Sequence, residues 1–368
     1  MHLRTIALTT LLFASFAAAQ TSPAPTQAKT YDFTNKPSPQ GLQEIATILR
    51  TVGDMTHLSV DAAAFTVTVT GTTDELAMSG WIIQQLDQPV TVPTSATASP
   101  QQYPIAGKAD DVIRVFHLGN IGPTNPQGIQ EMLIVLCTVG DVQKVFNYSA
   151  LSDLVVRGPA TQIALSEYLI KSLDVVPGSV TTGQAFQFQT PSQRIQTARV
   201  FYLATMKAPQ QIQEILTTLR AVGDIQKVFD FTPLNALAIR GTADDISTSE
   251  WIVQSQDINA SATPGTSAGV REYIMPKNQP GGNVIRVFYP AHINTPQETQ
   301  QTLTAIRTKL QIQKVFNYTV PQLAPPHNPA WVALTVRGTA DQITKAEQLI
   351  LDQDQLAKAQ WHRRLRVA

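Results

Sequence analysis

The chain has 368 residues, with 27 basic and 27 acidic side chains, a formal net charge of zero and one cysteine. A neutral balance argues against a nucleic-acid partner, which asks for a clustered basic face. A single thiol excludes an internal disulfide.

At the N-terminus, His2 and Arg4 precede an apolar run from Ile6 to Phe16, and Ala17-Ala18-Ala19 supplies small residues. This predicts a secretory signal peptide over residues 1–19, cut after Ala19, and a mature chain that is periplasmic or secreted. The run is too short to cross about 30 Å of hydrocarbon. No later run is long and apolar enough for a membrane helix, so no span is expected after cleavage.

The rest of the chain repeats itself. Pro39–Asp87, Pro126–Asp174 and Pro209–Asp257 share Pro-Gln at their start and Asp at their end. Between these lie Val-Gly-Asp (Val52-Gly53-Asp54, Val139-Gly140-Asp141, Val222-Gly223-Asp224) and a later glycine (Gly71, Gly158, Gly241). A fourth, divergent copy runs from Pro296 to Asp354, with an insertion before Gly338 and Lys309-Leu310-Gln311 in place of Val-Gly-Asp. Self-similarity at a fixed period is the signature of an array of small units. Modules are expected at 29–91, 112–176, 197–258 and 284–355, with a basic tail over 356–368. Modules this small bury only about 60% of their unfolded surface, so neighbours or oligomerisation are expected to help stabilise them.

The second copy shows the predicted elements most clearly. Val112–Leu118 is a strand. Asn125 caps a helix that has Pro126 at its first position and Ile129, Leu133, Leu136 and Val139 at helical spacing. Gly140 is expected to end that helix in a position that tolerates positive φ. Val142–Tyr148 and Leu154–Arg157 form a hairpin, and Thr161–Leu173 is a second helix. The order is β-α-β-β-α, an α+β module repeated four times. The linkers Gln88–Asp111, Val175–Thr197 and Ile258–Asn283 are rich in Pro, Ser, Thr, Gly and Gln, and read as extended connections. Within them Phe186–Phe188 and Glu272–Met275 are candidates for short extra strands.

The segment Phe229 to Ile246 (Phe-Asp-Phe-Thr-Pro-Leu-Asn-Ala-Leu-Ala-Ile-Arg-Gly-Thr-Ala-Asp-Asp-Ile) resembles the periplasmic short repeats of secretins. Secretins are the outer-membrane gates of type II and type III secretion and of type IV pili. The same features recur at Val69–Thr72 with Ile83–Asp87, Val156–Gly158 with Ile170–Asp174, and Arg337–Thr339 with Leu349–Asp354. The resemblance implies a KH-like module. It also implies protein partners, such as secretion or pilus components, and possible self-association, because secretin modules stack into rings and bind substrates, pilotins and inner-membrane proteins. The barrel half of a secretin has no counterpart here, so a channel is not expected. The implied function is a non-enzymatic, exported interaction scaffold or adaptor. The alternative is a stand-alone peptide- or protein-binding module with no link to a secretion machine.

No constellation for chemistry appears. The six histidines are not paired with a second ligand at helical spacing, there is no Gly-x-Ser-x-Gly elbow, and Gly281-Gly282 lacks the Lys-Ser/Thr of a phosphate loop. No Gly-x-x-Gly clamp for RNA lies between helices. No catalytic residue, metal or cofactor is therefore assigned. Asp54, Asp141 and Asp224 read as turn formers, with an ion site as the minority reading. Cys137 aligns with Arg50, Arg220 and Arg307, which predicts a solvent-facing position.

Two sets of residues are candidate interaction surfaces. Lys144, Lys227 and Lys314 lie in Gln-Lys-Val-Phe strands. Either their heads snorkel to water beside a core Phe, or they form a repeated contact for the next copy. Trp81, Tyr168 and Trp251 align on the second helices, where copy four has Gln348. That replacement points to a face covered by a following copy, which copy four lacks.

Overall fold

The structure is a computed structural model that describes residues 26–89, 102–122, 125–180, 183–257, 271–276, 280–293, 295–320 and 331–367. The expected signal peptide, parts of the linkers and residues 321–330 of the fourth copy lie outside these residues. The first module contains β1 (Gln27–Asp32), α1 (Pro39–Thr51), β2 (His57–Asp61), β3 (Thr66–Gly71) and α2 (Thr73–Leu86). The second adds a short strand in front: β4 (Gln102–Pro104), β5 (Asp111–His117), α3 (Pro126–Thr138), β6 (Lys144–Tyr148), β7 (Asp153–Pro159) and α4 (Ala160–Leu173). The third has β8 (Phe186–Gln189), β9 (Ile195–Tyr202), α5 (Pro209–Ala221), β10 (Lys227–Phe231), β11 (Ala236–Gly241) and α6 (Ala243–Gln256). The fourth has β12 (Arg271–Ile274), β13 (Val284–Phe288), α7 (Pro296–Lys309), β14 (Val315–Val320), β15 (Trp331–Gly338) and α8 (Ala340–Val367). The chain is thus α+β, a tandem array of four βαββα modules. Each sheet is antiparallel, ordered β1-β3-β2 in the first module and β4-β5-β7-β6 and its equivalents in the others. The linker segments at Phe186 and Glu272 do form strands. The basic tail is no separate segment, because α8 runs on through it to Val367, and Ala357 is buried.

Local chemistry sets the helix ends. Ser38 and Asn125 cap α1 and α3 by accepting from the N–H of Gly41 and Gly128. Thr72 with Glu75 and Thr242 with Asp245 form capping boxes on α2 and α6. At the C-terminus of α3 the expectation is off by one residue. Positive φ falls on Asp141 (55°), and on Asp54 (60°) and Asp224 (60°) in the neighbouring copies. Gly140 is needed for a different reason: a Cβ there would lie 2.4 Å from the Leu136 carbonyl oxygen. The second helix of each module closes back on the loop after the first strand. The carboxylate of Asp87 accepts from the N–H of Thr34 and Asn35, Asp174 from Gly119, Asn120 and Ile121, Asp257 from Ala204, Thr205 and Met206, and Asp354 from His292 and Ile293.

The modules do not have separate cores. In β7, Leu154 and Val156 face α3 and α4, while Val155 joins Ile113, Val115 and Tyr148 in the cluster formed by α1 and α2. In β11, Leu237 and Ile239 face their own helices, and Ala236 and Ala238 pack into the second module's cluster. Ile285 and Met275 likewise enter the third module's cluster. Sheets two to four therefore lie between their own helices and those of the preceding module, and so read as continuous apolar runs. Among the described residues no module precedes the first sheet. Its β3 alternates, with Val67 and Val69 buried and Thr66, Thr68 and Thr70 on the other face.

Replacing Gly140 with Ala is expected to lower unfolding stability by about 1–3 kcal/mol, because the new Cβ meets backbone that cannot move aside. A chemical-denaturation midpoint unchanged from the parent would contradict this account.

Candidate functional site: the joints between modules

The same joint occurs three times. Each begins where a first helix ends and an aspartate in left-handed geometry turns the chain. An anion at a helix C-terminus is disfavoured by the helix dipole, and the next module supplies two cations to offset it. Arg157 Nη1 donates to the Val52 carbonyl at 2.9 Å and to Asp54 Oδ2 at 3.0 Å, while Lys144 Nζ sits 2.5 Å from the same carboxylate. Arg240 reaches the Val139 carbonyl at 2.7 Å and also Asp141, which Lys227 meets at 2.5 Å. Arg337 bonds the Val222 carbonyl at 2.9 Å and Asp224 Oδ2 at 2.8 Å, with Lys314 on the other carboxylate oxygen. Each arginine is buried: Arg157 is 4% exposed, Arg240 8% and Arg337 0%. The guanidinium thus caps the preceding helix and neutralises its turn in one contact.

Burial pulls each of these aspartates upward. The hydrogen bonds and positive charges of the partner Lys and Arg outweigh it, leaving Asp54, Asp141 and Asp224 below the usual carboxylate range.

A second contact uses the first helix. Glu44 accepts from the Ser149 N–H at 2.8 Å, Glu131 from Thr232 at 2.7 Å and Glu214 from Thr319 at 2.7 Å, so each glutamate satisfies a backbone N–H at or near the end of the second strand of the following module. The Gln of each Pro-Gln start braces that glutamate: Gln40 on Glu44 at 2.9 Å, Gln127 on Glu131 at 2.8 Å and Gln210 on Glu214 at 3.2 Å. Beside the first contact, Tyr148 packs against Gly41. Burial, then the charges of Glu44, Asp87 and Asp153, push its phenol up to about 12.

The third contact is aromatic. Trp81 lies 5.5 Å from Tyr103, Tyr168 lies 5.1 Å from Phe186 and Trp251 lies 5.7 Å from Tyr273, ring centre to ring centre. In each pair the first ring is on a second helix and the second is on the extra strand of the following module. Gln348, at the equivalent place on α8, is exposed and donates to Asp352.

All six sequence candidates therefore lie at joints. The lysines reach the preceding module rather than the next, and the aspartates taken as turn formers are both turn and ion-pair acceptor. The sequence reading missed Glu44, Glu131 and Glu214, and Arg157, Arg240 and Arg337. Their signal is the one that singled out Trp81: the end copy with no neighbour on that side breaks the pattern. Copy four has Gln301 and Gln311 in place of the glutamate and aspartate, and copy one has His57 and Thr70 in place of the lysine and arginine. Cys137 is exposed. His117 pairs with the buried Asp153, and His292 with Asp354 at 3.0 Å. Among the described residues no group of three His, Cys, Asp or Glu is placed to hold a metal, and no helix is long and apolar enough to cross a membrane.

No family model matches the chain, and no curated protein matches its sequence. Among solved structures, it is similar to the N-terminal domain of the secretin XcpQ from Pseudomonas aeruginosa, at 16% identity and a TM-score of 0.17, over 41% of this chain and 63% of that one. It is also similar to ExeD of Aeromonas hydrophila, at 12% identity and a TM-score of 0.15, over 85% of this chain and 60% of that one. A third is the pilotin–secretin complex AspS–GspD of ETEC, at 13% identity and a TM-score of 0.16, over 89% and 55%. The chain spans less than two thirds of each of these chains.

Arg337→Met leaves Asp224 and the Val222 carbonyl without their buried partner, and is expected to cost about 2 kcal/mol in denaturant unfolding. A loss within experimental error would remove the joint from the list of stabilising contacts. Because the joint aspartates titrate below their unfolded range, their contribution is complete above that range and fades as pH falls through the folded value. The unfolding midpoint should therefore fall on acidification, and less steeply in Asp141→Asn; parallel slopes would refute the assignment. Gln348→Trp should change stability by no more than about 0.5 kcal/mol, as at an exposed site, whereas Trp251→Ala should cost about 2 kcal/mol. Equal effects would contradict the aromatic seam.

Proposed function

We propose that this chain is a non-enzymatic, exported scaffold for protein–protein contacts, working in the cell envelope as an accessory of a secretion or type IV pilus assembly. The observation that carries the reading is how the repeated polar chemistry is used. The joint Asp, Lys, Arg and Glu and the aromatic pairs recur from copy to copy, and these fix one module on the next. A stiff array with extensive outer surface follows, which suits docking and spacing of proteins. The secretin resemblance of the repeat motif supports the choice of partners, and the apolar run before Ala19 supports export.

The test is in-cell crosslinking of the tagged chain followed by identification of what it captures. Capture of an outer-membrane secretin, a pilus subunit or an inner-membrane assembly protein is the expected result. Recovery of only the chain itself, or of unrelated exported proteins, overturns the link to such a machine and leaves the stand-alone binding module.

A further inference from the structure

The first module differs from the other three at one sheet edge. In modules two to four the outer edge of the first long strand carries an added antiparallel strand: β4 on β5, β8 on β9 and β12 on β13. Among the described residues nothing pairs with the outer edge of β1, whose only strand partner is β3. The backbone of an edge strand is a ready template for another strand.

The side chains at this edge differ as well. Arg114, Arg199 and Arg286 occupy one register position of the first long strands, and each forms an ion pair with a glutamate of the second helix: Glu167 at 3.0 Å, Glu250 at 2.9 Å and Glu347 at 2.8 Å. The equivalent residue in β1 is Lys29, opposite Val69 as Arg286 is opposite Val336. The glutamate position is Gly80, over which Tyr31 lies. Lys29 is exposed, and its ammonium stands 4.8 Å from the Tyr31 ring. Module four shows what fits such an edge. Glu272 of the added strand β12 lies directly across from Arg286 in the ladder, and accepts from its Nε at 2.8 Å.

We propose that the outer edge of β1 docks an extended segment of a partner protein, added antiparallel, with a carboxylate side chain opposite Lys29. Main-chain hydrogen bonds supply the attachment, and the Lys29–carboxylate pair sets register and favours acidic segments. The proposal rests on the scaffold reading and names its docking edge. The two fail separately: captured partners whose binding ignores Lys29 keep the scaffold and remove the edge, whereas capture of nothing removes the scaffold.

The probe is a labelled synthetic peptide with the sequence of residues 270–276, which carries the glutamate of β12, titrated into the purified full chain. Saturable binding is expected, with amide hydrogen exchange slowed across residues 27–31. Lys29→Glu should weaken it about tenfold, as a cross-strand attraction becomes a repulsion, and a peptide with Lys in place of that glutamate should regain affinity for the variant. Binding that is unchanged by Lys29→Glu, or lost instead on Arg286→Glu because the peptide exchanges into module four, overturns the proposal. So does slow exchange at residues 27–31 in the free chain that disappears when the residues before 26 are removed, since the chain's own N-terminus would then fill the edge.

Discussion

An aspartate at the end of a helix is the constraint around which this array is arranged. The turn needs a residue in left-handed geometry, and Asp tolerates it better than most. It also leaves a carboxylate beside carbonyls that already carry partial negative charge. One buried arginine and one lysine from the following module answer both at once. Bringing that arginine home requires its strand to lie against the preceding helices, and that placement covers the second face of the sheet. The layered order of the molecule, sheet on helices on sheet, follows from this one electrostatic demand together with the apolar faces it brings into register.

Much of this could be read from residues alone. Helical spacing at Ile129, Leu136 and Val139 marks a core face, and all three are buried. Asn125 caps its helix as its side-chain chemistry predicts. Periodicity also separates the sheets: Thr66–Thr70 alternates, whereas Leu154–Val156 and Leu237–Ile239 do not. What escaped was the meaning of charged residues inside apolar strands. Arg157 beside Gly158 looks like a strand end facing water, because no local pattern places a helix C-terminus from another module above it. Propensity alone assigns the positive φ to Gly140. A carbonyl approach, invisible without coordinates, claims the glycine and passes the turn to Asp141.

The four copies carry their own internal control. Asp87, Asp174, Asp257 and Asp354, kept in every copy, act within a module. Glu44 with Gln301 and Arg157 with Thr70, kept in three copies and lost at one end, act between modules, whereas Arg114 with Lys29 follows the same pattern and pairs inside its own module. Stability in such an array is approximately a sum of module terms and nearest-neighbour terms, and here much of the apolar burial belongs to the second kind. The two ends differ accordingly. Thr66, Thr68 and Thr70 leave the first sheet wettable, and Gln301, Gln311 and Gln348 remove the acceptors and the ring from the last helices.

The one-sided sharing of cores also gives the chain a direction in time. The first module completes a solvated sheet over its own helices, and each later sheet finds its second covering layer on residues that precede it in the sequence. Synthesis from the N-terminus therefore presents every new sheet to a template that is already finished. Emergence in the opposite order would leave Ile113, Val115, Val155 and Tyr148 waiting, uncovered, for helices not yet made.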